Sequence, residues 1–358
     1  MKKRAKRDAR AAEPVPSEAA GPTGSGKRLQ MADIARMAGL SPTTVSRALS
    51  GSDLVTEATR TRVLELARSV NYTVNAGAKE LRLGHSNTIA VVVPYAVGRR
   101  QGISDPFFLS MLGAIADAVT ERGYDMLVSR VDADDLCLAS KPYDSGRAMG
   151  IILIGQWQHH DHLNQLAARR VPLVVWGAQL PQQLYCTIGC DNIEGGRLAT
   201  ERLIAVGRTR IAFFGDTGLP EVAQRYAGYR QAHEHAGLAV DPALHVPASF
   251  LADSARAAVT GFKARRIDFD AVFACSDLLA MSTIGTLHDL GLRVPQDVAV
   301  VGYDDIALAA HFSPPITTIR QAIDAGARAM VGALLSFLDG VQPLSHELPT
   351  ELIIRATA

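Results

Sequence analysis

From Asn87 to the C-terminus, short unbroken apolar runs alternate with longer stretches whose apolar residues recur at helical spacing. The runs are IAVVV (89–93), DMLVSR (125–130), GIILIG (150–155), PLVVW (172–176), RIAFFG (210–215), DAVFA (270–274) and VAVVGYDD (298–305), and ELIIRATA (351–358) closes the chain. Most lack the polar alternation of a half-exposed strand, which predicts strands buried on both faces. Amphipathic helices are predicted between most of them, at 108–122, 194–206, 223–235, 253–265 and 278–290. This order implies parallel sheets with helices on both faces, an α/β architecture. So many elements exceed one open sheet, so two lobes with a cleft between them are expected over residues 85–358. Ligands in such folds bind beyond the carboxyl ends of the strands.

The N-terminal part follows the helical period alone. In LQMADIARMAGLSPTTVSRALSG (29–51), Ile34, Ala35 and Ala38 share one face, Gly39 supplies the left-handed residue that ends a first helix, and Ser41 with Pro42 opens a second. That second helix turns Val45, Ala48 and Leu49 inward and leaves Thr43, Thr44, Ser46 and Arg47 on a small, polar, basic face. Such a face can enter a major groove, where the Arg47 guanidinium matches the two acceptors of guanine. The same pattern suits a helical pair in any all-α domain. Thr56 can cap a third helix, EATRTRVLELARSV (57–70), with Val63, Leu64, Ala67 and Val70 as its apolar stripe and Arg60, Arg62 and Arg68 outward. The readings give a helix-turn-helix domain at 29–74 and a hinge helix at 75–84, capped by Asn75 and too short to be stable alone. The hinge is a candidate to fold on DNA with Leu81 as an apolar wedge in the minor groove; a plain linker is the alternative.

Charge follows the same division. The chain carries a net +1, yet residues 1–84 hold 15 Lys/Arg against 8 Asp/Glu, +7, leaving −6 for the remainder. The basic excess coincides with the part expected to face a polyanion. Residues 1–28 have too few apolar side chains to bury a core and are expected to be a disordered basic tail. Within them GPTGSGK (21–27) imitates a phosphate-binding loop, but no strand delivers it and Arg28 stands where Ser or Thr would hold magnesium. No Gly-x-Gly-x-x-Gly follows a strand and no Gly-x-Ser-x-Gly elbow occurs, so no enzyme and no cofactor are expected. Cys137, Cys186, Cys190 and Cys275 have no CxxC spacing and read as reduced core thiols. The run His159-His160-Asp161-His162 looks metal-like but opens a predicted helix, where adjacent side chains diverge, so no metal is expected. There is no apolar run long enough to span a membrane and no apolar segment of a secretory signal, which predicts a cytoplasmic protein.

The blocks DIARMAGLSPTTVSRALSG (33–51), VTEATRTRVLELARSVNYTVN (55–75), AKELRLG (78–84), AVVGYDD (299–305) and PPITTIRQ (314–321), in this order and spacing, resemble the lactose/galactose repressor (LacI/GalR) family along nearly the whole chain past residue 28. The resemblance implies an N-terminal all-α helix-turn-helix headpiece followed by a two-lobed, periplasmic-binding-protein-like (type I) α/β domain for effector binding and dimerisation. It implies a homodimer on palindromic operator DNA, with base contacts from Pro42, Thr43 and Arg47, phosphate contacts from Gln30, Ser41, Thr44 and Ser46, and minor-groove insertion of Leu81 beside the Asn75-capped hinge. It also places an effector in the cleft against the segment Asp105–Phe108, with Phe107 and Phe108, and against Arg225, Phe250, Asp277 and Asp304, while Gln156, Trp157 and Trp176 follow or end strands. Aromatic faces beside a few charged groups suit a sugar, mono- or disaccharide. Each also has a bland role: Phe107 and Phe108 as core, Arg225 paired with a carboxylate, Asp277 as a helix cap.

Three departures from the family pattern stand out. Val74 replaces the usual proline before the hinge, the loop 96–104 is longer and carries Arg99 and Arg100, and no leucine heptad follows ELIIRATA, which favours a dimer over a tetramer. The expected function is a transcriptional repressor of carbohydrate uptake or utilisation genes, released or engaged by a small sugar. A regulator sensing a purine or other metabolite, or a solute-binding protein with no role at genes, is the alternative.

Overall fold

The computed structural model describes residues 29–72, 86–95 and 102–358. The chain divides into two compact units, Met1–Lys79 and Glu80–Ala358. The tail 1–28, the hinge with Val74, Asn75 and Leu81, and the loop arginines Arg99 and Arg100 lie outside the described residues.

The first unit contains α1 (Met31–Ala38), α2 (Pro42–Leu49) and α3 (Glu57–Ser69). The Asp33 carboxylate accepts from the Gln30 backbone N–H at 2.9 Å at the start of α1, and Gly39 ends it at φ +66°. Ser41 caps α2 by accepting from the Thr44 N–H at 3.1 Å. A small core of Ile34, Ala35, Val45, Ala48, Val55 and Val63 closes the three helices, with Leu66 and Val70 packed against it. Leu66 therefore takes the inward place expected of Leu64, one helical turn from Val63 and Val70. Two arginines expected to face outward are engaged instead: Arg62 donates to the Ala38 carbonyl at 3.0 Å, and Arg60 to the Ser52 carbonyl at 3.1 Å. They tie α3 to the last carbonyl of α1 and to a carbonyl in the turn after α2.

In the second unit the anticipated runs are strands: β1 (Thr88–Tyr95), β2 (Asp125–Asp132), β3 (Gly150–Ile154), β4 (Leu173–Trp176), β6 (Ile211–Phe214), β8 (Ala271–Ala274), β9 (Ala299–Asp304) and β12 (Glu351–Ile353). Four more strands, β5 (Cys186–Cys190), β7 (His245–Val246), β10 (Thr317–Arg320) and β11 (His346–Leu348), were not anticipated. Threonines and a glycine interrupt the apolar runs of β5 and β10, yet these strands are buried because each hydroxyl has a partner. Thr187 accepts from Gln183, Thr317 donates to the Ala358 carbonyl, and Thr318 donates to Asp277. The longer helices are α4 (Pro106–Thr120), α5 (His160–Ala168), α6 (Asn192–Ala205), α7 (Pro220–His235), α8 (Ala252–Arg265), α9 (Asp277–Asp289) and an unanticipated α10 (Ile323–Leu338), with short helical turns at Lys141–Asp144 and Ala307–His311.

Two six-stranded sheets result, ordered β11-β5-β4-β3-β1-β2 and β12-β10-β9-β8-β6-β7. Pairing is parallel except between β10 and β12. The two lobes repeat one doubly wound order, and each has its switch point beside its first strand, β1 or β6. The chain passes between lobes three times: from β5 into α6, from β10 into α10, and from β11 into β12. The helix α10 returns to the first lobe, where Met330, Val331 and Leu334 join the core of β1, β3 and β4.

The helices α6 and α7 touch backbone to backbone. A Cβ on Gly196 would lie 2.0 Å from the Arg225 carbonyl oxygen, and one on Gly228 would lie 2.0 Å from the Ile193 carbonyl oxygen. Only glycine permits this approach, and it fixes where Arg225 stands. Gly228→Ala is expected to cost at least about 3 kcal/mol and lower the melting temperature of the full chain by roughly 5 °C or more. Thermal denaturation followed by circular dichroism measures this, and a variant melting like the parent would show that the helices can part at no cost.

Candidate functional site

On the headpiece, Pro42, Thr43 and Arg47 are exposed, Thr44 and Ser46 are half-buried, and Val45 and Ala48 face the core. The expected division of α2 into an inner apolar and an outer polar face is therefore present. Gln30 and Ser41 are exposed at the starts of α1 and α2, where the helix dipole favours an anion. The Ser41 hydroxyl is also 2.9 Å from that of Thr44, so the cap and its neighbour form one hydroxyl pair at the mouth of the helix.

In the second unit a cleft of about 770 Å³, its open mouth included, is lined from both lobes. Its walls follow the carboxyl ends of strands, as the topology requires: Trp157 after β3, Trp176 at the end of β4, Leu219 and Arg225 after β6, Phe250 after β7, Asp304 at the end of β9 and Gln321 after β10. Asp105 caps α4 by accepting from the Phe107 N–H at 2.9 Å, which sets Phe107 and Phe108 at the cleft wall. Gly326 of α10 leaves room for the Trp176 ring, which a Cβ there would meet at 2.3 Å.

The floor is polar and almost fully buried. Arg225 donates from Nε to Asn192 Oδ1 at 2.9 Å and from Nη1 to the Cys275 carbonyl at 2.6 Å, and its guanidinium lies 3.6 Å from the Tyr303 ring centroid. Gln321 donates to Asp304 Oδ1 at 2.7 Å. Burial pushes the Asp304 carboxyl up to about 7, against the opposing pull of Arg225. Burial also raises the Glu221 carboxyl, which stands one helical turn before Arg225 on the cleft wall. Asp304 holds φ +110° and Trp157 φ +51°, conformations that cost a non-glycine residue energy and concentrate where structure serves a ligand.

Six of the eight residues expected at an effector line this cleft: Phe107, Phe108, Trp176, Arg225, Phe250 and Asp304. Two do not. Asp277 is 0% exposed and accepts from the Ile306 N–H at 2.9 Å and the Thr318 hydroxyl at 2.5 Å, so its carboxylate ties α9 to β10 and to the turn after β9. Ser276, not Asp277, caps α9. Gln156 is also 0% exposed; its amide bonds the Ala178 N–H and carbonyl at 2.8 and 2.7 Å and meets the Tyr185 hydroxyl at 3.0 Å. It locks the loop after β4 from behind the wall. Glu221, Leu219 and Gln321 line the cleft without having been singled out. Their signal was position alone: Leu219 and Glu221 open the helix that follows β6, and Gln321 directly follows β10.

The cysteines also divide. Cys186, Cys190 and Cys275 are buried thiols, whereas Cys137 is half-buried in a short 3-10 segment, Ala133–Ser140.

Residues 30–75 match the family described as bacterial regulatory proteins, lacI family, and residues 200–358 match the periplasmic binding protein-like domain. The HTH-type transcriptional regulator CelR of Thermobifida fusca is 34% identical over 328 residues, 90% of this chain and 96% of CelR. The chain belongs to the LacI family. It is accordingly a DNA-binding transcriptional regulator, as its headpiece geometry suggests, and not an enzyme. The HTH-type transcriptional repressor PurR of Haemophilus influenzae is 28% identical over 90% of this chain and 96% of its own. A structure of a CelR–cellobiose complex superposes with a TM-score of 0.69 at 32% identity, covering 92% of this chain and all of that one. The lac repressor dimer bound to operator and the anti-inducer ONPF shares the fold, with a TM-score of 0.81 at 24% identity over 92% of this chain and 99% of its own.

The buried Asp304 makes a stability prediction whose sign is fixed. Its folded value near 7 lies above the unfolded carboxylate value of about 3.9, so the folded chain holds more protons between these limits. The stability contributed by the neutral carboxyl is present below that window and lost as pH rises to 7. The melting temperature of the parent minus that of Asp304→Asn should therefore fall between pH 4.5 and 7.5, and a flat difference would remove the buried acid from the account.

Proposed function

We propose that this regulator is a cytoplasmic homodimer that represses carbohydrate uptake or utilisation genes by binding a palindromic operator, with a disaccharide as its cleft effector. The observation that carries the sugar reading is the pairing of Phe107, Trp157, Trp176 and Phe250 with Glu221, Arg225, Asp304 and Gln321 around one cleft. Sugar rings offer C–H faces that stack on aromatics and hydroxyls that both donate and accept. A volume of about 770 Å³ falls in the range of small-molecule sites and leaves room for two rings. The resemblance to CelR, solved with cellobiose, supports the class. On the DNA side Pro42 offers no donor: Arg47 reads guanine, Thr43 and the ring of Pro42 read neighbouring pairs by contact and shape, and Gln30, Ser41, Thr44 and Ser46 hold phosphates. Asn75 and Leu81 are assigned to the hinge, with Leu81 wedging the central step of the operator.

A melting screen of the full chain against cellobiose, other disaccharides, monosaccharides and purine bases tests the effector. A ligand at 100 times its Kd should stabilise by about 2.7 kcal/mol, a rise of several degrees, and Trp157→Ala should weaken the disaccharide at least tenfold. A purine base that stabilises the chain while every sugar leaves it unmoved would overturn the sugar reading.

On DNA, Arg47→Ala should cost about 1–3 kcal/mol and flatten preference at one base pair of each half-site. Selection from a random oligonucleotide pool, run with both proteins, reads this. An unchanged consensus would move base recognition away from Arg47.

A further inference from the structure

In the first lobe, Asp135, Cys137 and His162, none of which lines the cleft, each bring a ligand atom within 4.8 Å of the other two. We propose that these three side chains form a binding site for a divalent transition-metal ion of the zinc class, apart from the effector cleft. Neither the recognition helix nor the cleft uses any of them.

The local sequence explains why they converge. Asp135 and Cys137 flank Leu136, which is fully buried in the core with Leu163 and Leu166, so the two flanking side chains are turned away from that core. A break in the 3-10 segment at Asp135, φ −136° and ψ 66°, bends the backbone there. His162 immediately precedes the fully buried Leu163 in the first turn of α5, which packs on the 3-10 segment. Each ligand is thus bonded to a leucine anchored in one core, and the three positions are held without a metal.

The donors have the right chemistry and an open valence. Nδ1 of His162 is buried with no hydrogen-bond partner among the described residues, a cost that a ligand would remove. The Cys137 thiol has only a weak contact of 3.5 Å to Gln165 Oε1. When an ion binds, a sulfur–metal bond forms and the thiol proton leaves to water. Thiolate, imidazole and carboxylate together favour zinc or cobalt over calcium or magnesium, and three protein ligands leave a fourth tetrahedral position for water. Tetrahedral ligands about 2.0–2.3 Å from zinc stand roughly 3.3–3.6 Å apart, so closure needs a movement of about 1 Å, available to the exposed Asp135 side chain. His159 stacks on His162, centroids 5.0 Å apart at 12°, and its Nε2 is 3.6 Å from Asp134 Oδ1. Of the histidine run, His162 in the first turn of α5 belongs to the site, and His159 at the N-cap packs against it.

Cobalt(II) titration of the reduced, chelator-treated full chain tests the proposal. One equivalent per chain should produce a thiolate-to-cobalt charge-transfer band, displaced by zinc(II). Cys137→Ser should abolish the band. Because Asp135 is exposed and its loss endangers no core, Asp135→Asn should keep the parent's metal-free melting curve yet bind more weakly by more than the roughly 10–100-fold of a lost outer-shell partner. His162→Gln should do likewise. Absence of the band at one equivalent, its persistence in Cys137→Ser, or unchanged affinity in both other variants would each overturn the site.

Discussion

A buried guanidinium organises the second unit. Arg225 is nearly inaccessible, and a cation in that position costs several kcal/mol unless its surroundings replace water. Its replacements come from separate parts of the chain: Asn192 at the start of α6, the Cys275 carbonyl after β8, and the Tyr303 ring of β9, with Asp304 close enough to affect its charge. Each of those segments must therefore end where it does. The Gly196 and Gly228 contacts are part of the same requirement, since they let α6 come near enough for Asn192 to reach the guanidinium.

The parallel topology converts that local requirement into a site. Strands running the same way deliver all their following turns to one edge, so aromatic and charged residues distant in sequence meet beyond that edge. Sequence reading could therefore find the cleft by locating strand ends, and Phe107, Phe108, Trp176, Arg225, Phe250 and Asp304 were found this way together with family resemblance. It could not tell which polar residue at a strand end faces the cleft and which faces a neighbouring element. Asp277 follows β8, Asp304 ends β9, and both are acidic. One lies at the cleft because Gln321 meets it from the wall; the other is enclosed because Thr318 and the Ile306 amide meet it from inside. These partners come from strands and turns far along the chain, which local pattern does not register. The same limit hid β5 and β10, whose threonines look like loop residues until their hydroxyl partners are known, and α10, whose apolar face only makes sense once it returns to the first lobe.

The headpiece was more legible because its determinants are local. Caps, a left-handed glycine and a helical stripe lie within a few residues of what they control; the differences are Leu66 for Leu64, the inward bonds of Arg60 and Arg62, and Thr56, which stands at the start of α3 but whose hydroxyl meets that of Thr59 instead of capping a backbone N–H. Those two arginines show how the basic excess is shared. Some cations hold helices together, whereas Arg47 stays exposed on the outer face of α2.

A ligand can shift a conformational equilibrium only by the difference in its affinity for the two states. The cleft supplies the means for such a difference. Phe107, Phe108 and Trp176 belong to the first lobe, while Arg225, Phe250 and Asp304 belong to the second, so a molecule touching both sets loses contacts whenever the lobes separate. The lobes are joined by three short passages, at the ends of β5, β10 and β11, where the Asp191 N–H bonds the Leu348 carbonyl at 3.0 Å. Few covalent links and a shared ligand are what a lobe-closing effector requires. By linkage, whatever operator binding does to the lobes must alter the effector's affinity by the same factor that the effector alters the operator's.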